Sequence, residues 1–268
     1  MTGSSTHMHN KVVLVGDKFG ISLLMQFIPA NIVKAIMASS IRPQYIDDLE
    51  KLAEKNNIPF MIQPKHDLPD YLPFVHTFRE QKFDLLFCCS YSMIIRKEIL
   101  ESVEYNAVNI HSSLLPLNRG PNPIQWAIIK NERKTGITMH YMDDNLDSGD
   151  IIAQVEEKIR DTDTWVSLAA RLRIRTQQFI EMHIDEVIKG SKLRIKQDES
   201  KATINKRLTP RSPRIDFTTM TNRQVFNLIR AQVSPLKGAY LQQGNKRIYF
   251  PNFITMDEVK PLRKIYDK

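Results

Sequence analysis

The chain has 268 residues, 42 % of them hydrophobic and 25 % charged, with a formal net charge of +8. That is enough chain for one large domain, or one domain and a smaller appendage, and the balance is ordinary for a folded globular protein. No apolar run is long enough to span a bilayer, the first ten residues contain no apolar stretch of signal-peptide length, and the positive charge forms no basic tail.

Residues 1–10 read as a disordered lead-in. The run KVVLVG (11–16) predicts a first buried strand ending in glycine, and an amphipathic stretch over 21–27 follows. IVKAIMA (32–38) predicts a second strand. Residues 43–57 predict a helix, with Pro43 in its first turn and Ile46, Leu49, Leu52 and Ala53 on one face. PFMI (59–62) is a third strand, 72–81 a helix and DLLFCC (84–89) a fourth, fully apolar strand. Cys88 and Cys89 are adjacent, so in a strand they face opposite sides and read as buried free thiols, expected in the cytoplasm. Strands are further predicted at 106–111, 136–142 and 150–159, then one long helix from 164 that Gly190 closes.

Strands alternating with helices predict an α/β fold, a mostly parallel twisted sheet with helices on both faces, whose ligands bind at the carboxyl ends of strands. Near residue 196 the chain turns polar and proline-punctuated. The expected boundaries are therefore a catalytic domain over 11–195 and a short C-terminal α+β extension over 196–268, holding one helix (221–232) and a hairpin turning at Gly244-Asn245. The hairpin's edges could pair with a second copy, giving a homodimer. No GxGxxG, GxxxxGK[ST], GxSxG, HxxxH or CxxC occurs, so no dinucleotide loop, phosphate loop, serine-nucleophile elbow or metal site is expected.

The informative stretch is NIHSSLLPLNRGPNPIQWAI, followed by GITMHYMDDNLDSGDIIAQ. Asn109 and His111 lie two apart at the end of a strand and share a face. Asp147 lies in a turn-rich loop leading into the next strand. A neutral imidazole can take a proton from an attacking amine, a carboxylate can orient the imidazole, and a carboxamide can donate to an oxyanion. Taken singly, each has a plainer reading: a structural histidine for His111, and turn chemistry for Asn109 and Asp147.

The joint pattern resembles the folate-dependent formyltransferase family, marked by N-x-H-x-S-L-L-P-x-x-R-G and a later D-x-G. Here these are Asn109, His111, Ser113, Leu114, Leu115, Pro116, Arg119 and Gly120, then Asp147 and Gly149. The resemblance implies a Rossmann-like core, Asn109, His111 and Asp147 as catalytic residues, and 10-formyltetrahydrofolate as formyl donor without metal. It places folate against Ser90, Tyr91, Ser92, Met93 and Ile94, with Tyr141, Asp143 and Asp144 on the facing wall. Within the family the chain looks most similar to sugar N-formyltransferases acting on nucleotide-linked amino sugars (dTDP- or UDP-linked 3- or 4-amino deoxysugars), enzymes of surface polysaccharide such as the O-antigen of lipopolysaccharide. Methionyl-tRNA and glycinamide ribonucleotide formyltransferases are the alternatives, as is a binding module that keeps the fold. The diphosphate of such a substrate requires cations, for which Lys18, Arg207, Arg211 and Arg230 are the candidates. Asn122 and Gln125 are candidates for the sugar hydroxyls. Neither a membrane nor nucleic acid is the expected partner.

Overall fold

The structure, a computed structural model, describes residues 8–190 and 194–266, so the lead-in expected over 1–10 lies outside the described residues up to residue 7. Residues 8–10 depart from that expectation. His9 is buried and donates its backbone N–H to the Ile188 carbonyl at 2.8 Å, while Asn10 and Lys11 both donate theirs to the Asp84 carboxylate at 2.9 Å.

The apolar runs become strands β1 (Val12–Gly16), β2 (Val33–Ser39), β3 (Phe60–Gln63), β4 (Leu85–Cys89) and β5 (Ala107–His111), followed by the longer β6 (Lys134–Tyr141) and β7 (Ile151–Lys158). They form a seven-stranded sheet in the order β3-β2-β1-β4-β5-β6-β7. Every pairing from β3 to β5 is parallel, and β6 joins β5 antiparallel. β1 and β4 are buried at every residue, as parallel strands covered on both faces must be. The crossovers carry α1 (Lys18–Phe27), α2 (Ile46–Lys55), α3 (Tyr71–Glu80) and α4 (Lys97–Ser102). After β5 come α5 (Pro123–Ile129) and the long α6 (Trp165–Ile188). α4 and α5 were not among the predicted elements; at six and seven residues they are too short to show a clear apolar stripe.

The turn from β1 to α1 packs against the end of β4. A Cβ on Gly16 or Gly20 would stand 2.3 or 2.0 Å from the Cys89 carbonyl oxygen, so neither position admits a side chain. Asp17 caps α1 by accepting from the Gly20 N–H at 2.9 Å. Its other oxygen accepts from the Ser90 hydroxyl at 2.8 Å, which ties the turn to the loop after β4. Cys88 and Cys89 are both buried free thiols, with burial pushing Cys89 up to about 12.

The chain forms two compact units, each assembled from three stretches. The first takes the chain to His111, then Thr138–Gln154 and Thr176–Gln197; the second takes Ser112–Ile137, Val155–Arg175 and the chain from Asp198 onward. The last division falls close to the expected boundary at 196, but the second unit also holds two stretches expected in the catalytic domain. Its own bonds show why. Arg230 donates to the carbonyls of Arg160 and Asp163, Trp165 donates its indole N–H to the Val233 carbonyl at 2.8 Å, and Arg223 pairs with Asp161. The second unit also contains α7 (Asn222–Arg230), the two-stranded hairpin β8 (Ala239–Gln243) and β9 (Lys246–Phe250), and α8 (Val259–Tyr266). Thr221 and Gln224 close a capping box on α7, and Phe226, Ile229, Leu241 and Val259 lie in one apolar cluster. No described helix is long and apolar enough to cross a membrane.

Candidate active site

β5 ends in the sequence Asn109-Ile110-His111, and its alternation places the asparagine and the histidine on one face. Antiparallel pairing with β6 sets Asn109 opposite His140 and His111 opposite Thr138. His140 thereby joins the site, although no motif singled it out. Its Nε2 lies 3.1 Å from Asn109 Nδ2, and its Nδ1 lies 2.7 Å from the Tyr141 carbonyl oxygen.

These two contacts settle the protons. A carbonyl only accepts, so His140 Nδ1 carries the hydrogen. Burial pushes His140 down to about 4, against the weaker opposing pull of Asp147, so the ring is neutral near pH 7. Nε2 is then a bare acceptor, and the group facing it on Asn109 is the NH2. The carboxamide orientation follows from the network. One Asn109 hydrogen goes to His140, and the amide keeps a second for another acceptor.

Asp147 approaches from the loop between β6 and β7. Its Oδ2 stands 3.6 Å from His111 Nδ1 and its Oδ1 3.7 Å from His140 Nε2. Both separations are longer than a hydrogen bond, and with His140 neutral the second is not an ion pair. Asp147 adopts φ +52°, a left-handed conformation that aspartate tolerates better than most residues. Within the loop, Asp143 accepts from the Ser148 hydroxyl at 2.7 Å and from the Asn145 N–H at 3.1 Å. The glycine of D-x-G has a physical reason: a Cβ on Gly149 would lie 2.0 Å from the Tyr141 carbonyl oxygen, the same oxygen that fixes His140. His111, His140 and Asp147 are all largely buried. A carboxamide donor, a buried neutral imidazole, a second imidazole and a carboxylate make a set suited to stabilising an oxyanion and moving a proton, with no covalent intermediate on the enzyme.

The sequence also marked the loop after β4. Three of its side chains meet protein partners. Tyr91 donates its hydroxyl to Gln63 Oε1 at 2.9 Å, Ser92 accepts from Arg42 at 3.3 Å, and Met93 Sδ faces the Ser40 hydroxyl. Ser90 holds φ +59° and donates to Asp17, and Ile94 is exposed. Among the described residues, the N–H groups of 91–94 donate to no protein partner, and such an open peptide edge fits a heterocycle with its own row of donors and acceptors. On the facing stretch, Tyr141 is buried under the Arg194 guanidinium, 3.6 Å from its ring centroid, and Asp144 accepts from the Tyr105 hydroxyl.

The candidate phosphate ligands divide. Arg230 is 2 % exposed and donates to Asn227 Oδ1 and to the Arg160 and Asp163 carbonyls at 2.8–2.9 Å. It is a structural tie, and it leaves the phosphate-binding set because it is buried and its Nε and Nη1 already face protein acceptors. Lys18 pairs with Asp48 at 2.8 Å on the surface. Arg207 and Arg211 are exposed. Arg207 is pinned on both sides: the Trp126 indole donates to the Lys206 carbonyl at 2.8 Å, and Asn122 Oδ1 accepts from the Leu208 N–H at 3.1 Å. Asn122 is the left-handed N-cap of α5, and Gln125 is half-buried on that helix. Arg119, part of the sequence motif, is buried and pairs bidentately with Glu199 at 2.9 and 2.6 Å, a role in anchoring the chain. No group of three or more His, Cys, Asp or Glu side chains suited to a metal lies among the described residues.

A model of the formyl transferase family matches residues 50–184, about half of the chain. A methionyl-tRNA formyltransferase from Fusobacterium nucleatum is 34 % identical over 192 residues, which cover 72 % of this chain and 60 % of that protein. The counterpart from Bacillus cytotoxicus is 38 % identical over 157 residues, 59 % of this chain and 49 % of its own. The chain thus spans about three fifths or less of these relatives. Among solved structures, a sugar N-formyltransferase from Shewanella superposes with a TM-score of 0.72 at 20 % identity, over 93 % of this chain and 98 % of its own. An N-formyltransferase from Helicobacter canadensis, solved with folinic acid and dTDP-3-aminofucose, superposes with a TM-score of 0.66 at 18 % identity, over 90 % of this chain and 86 % of its own. Identities this low carry the fold alone.

Proposed function

The chain belongs to the formyl transferase family, and from that premise we propose that it moves a formyl group from 10-formyltetrahydrofolate to the amine of a nucleoside-diphosphate-linked amino sugar. The observation that carries the chemistry is the convergence of Asn109, His111, His140 and Asp147 through the β5–β6 register. Each group has a task in that reaction. Asn109, its amide held by His140, donates its remaining hydrogen to the formyl oxygen as negative charge builds there. His111 accepts the proton that the attacking nitrogen must lose and returns it to the departing nitrogen. Asp147 stabilises the imidazolium between those steps. The open peptide edge of residues 91–94 would hold the pterin, and Tyr141, Asp143 and Asp144 the other side of the donor.

For the acceptor, Arg207 and Arg211 are the cations suited to a diphosphate, with Asn122 and Gln125 beside the pinned segment 206–208. The fold shared with a solved sugar N-formyltransferase is the observation in favour of this choice. The test is an assay with labelled formyl donor against dTDP- and UDP-linked 3- and 4-amino sugars, reading tetrahydrofolate release. Turnover on one of them is expected, and none on any would reject the acceptor. The identity to methionyl-tRNA formyltransferases favours initiator tRNA as the second reading. It predicts tRNA binding that weakens steeply with salt, measurable by filter binding. The reading places the enzyme in the cytoplasm, as a dimer through the β8–β9 hairpin, which equilibrium sedimentation would test.

A further inference from the structure

Asp147 holds a backbone conformation uncommon for a residue with a side chain, and its carboxylate must face two imidazoles. Within the loop Asp143 accepts from the Asn145 N–H and the Ser148 hydroxyl, and the two carbonyls that flank Ser148 are those of Asp147 and Gly149. They are satisfied by the segment 194–197, which follows α6 in sequence and lies in the same compact unit.

That segment grips the loop and its flanking strands at three points. The Arg194 guanidinium stacks on the Tyr141 ring. Ile195 exchanges backbone hydrogen bonds with Ile151 at 2.8 and 2.9 Å. Gln197 Nε2 donates to the Asp147 carbonyl at 2.9 Å and to the Gly149 carbonyl at 2.8 Å. The third grip is chemically specific. A primary carboxamide carries two hydrogens on one nitrogen, and here one goes to each carbonyl. Two carbonyls two residues apart, drawn to one donor atom, restrict the torsions between them, and the side chain of Asp147 departs from the first of those residues. A carboxylate of the same shape would present oxygens to oxygens. An ammonium on a comparable stem would restore the donors.

We propose that Gln197 is a positioning residue for formyl transfer, bridging the Asp147 and Gly149 carbonyls so that Asp147 keeps its left-handed backbone and its aim at His111. This rests on reading the His111–Asp147 pair as catalytic. Gln197→Glu reverses the polarity at constant shape, and Gln197→Lys keeps the donors. A misplacement of about 1 Å at a catalytic group costs on the order of 100-fold in rate. Gln197→Glu is therefore expected to lower kcat by about that factor with KM for donor and acceptor within about threefold, and Gln197→Lys to recover most of the loss. Equal kcat in wild type and Gln197→Glu, or equal losses in both variants, would overturn the proposal. Crystal structures of the two variants separate it from the choice of acceptor. If the wild type formylates none of the amino sugars, the acceptor reading fails, and the structures decide the positioning. Asp147 displaced in Gln197→Glu and restored in Gln197→Lys supports it; Asp147 unmoved in Gln197→Glu overturns it.

Discussion

Two buried polar clusters stand in contrast. One, in the second unit, joins Asp163, Arg171, Glu157 and Arg230. Its contacts are tight: Arg171 reaches Asp163 at 2.5 and 2.9 Å and Glu157 at 3.1 Å, and Arg230 donates at 2.8–2.9 Å. The other, in the first unit, holds Asn109, His111, His140 and Asp147, and its carboxylate stands 3.6 and 3.7 Å from the two imidazoles. Both are sheltered from water, so burial does not separate structure from chemistry. Contact length does. A closed network stabilises a conformation, whereas a carboxylate 3.6 Å from the His111 ring can strengthen that pairing as charge develops there.

Substitutions can break this contrast from either side. The largest expected effect is catalytic: His111→Ala and Asp147→Ala should each lower kcat by about a thousandfold or more, with the unfolding midpoint near that of wild type. Wild-type turnover in either would remove the site. In the tight cluster the cost should appear in stability. Asp163→Ala leaves Arg171 short of its main partner and should lose about 3–5 kcal/mol in urea unfolding, with kcat per folded molecule unchanged. A loss of kcat at full stability would erase the distinction.

His140 belongs to both descriptions and sharpens the comparison through pH. Its folded value, about 4, lies below the ordinary histidine value of about 6.5, so the unfolded chain binds the extra proton between the two. Stability from this group is complete above pH 6.5 and is lost as pH falls toward 4, by about 3 kcal/mol in all. Protonation would also make Nε2 a donor and turn it against the Asn109 NH2. Urea unfolding of wild type and His140→Gln across pH 4–7 checks this; parallel curves would contradict it. The smallest effect is expected at Lys18 and Asp48. A Lys18 hydrogen bond holds Asp48 below the usual carboxylate value, but both side chains are exposed. Asp48→Asn should leave Tm unchanged within error, and Lys18→Ala should leave KM for the acceptor unchanged. A raised KM would return Lys18 to the phosphate-binding set.

Much of the fold was written locally. Unbroken apolar runs specify buried parallel strands, the face of Leu49 and Ala53 specifies α2, and Gly244 specifies the hairpin turn. Asn109 and His111 were readable because strand alternation needs only neighbouring residues, and Asp147 because the D-x-G motif marks its loop. His140 was not readable, since its part depends on which residue of β5 it meets, and that register is a property of two strands. Gln197 is further removed still, with its target fifty residues back along the chain. Arg230 shows the reverse: charge on a helix suggested a phosphate ligand, and burial gave it structural partners. Sequence by itself determined which residue types lie at the strand ends and in the turns, because period and turn chemistry are local. Only tertiary structure decided which of them meet, which protons they hold and which cations are already engaged, because those depend on contacts between segments that the chain order does not encode.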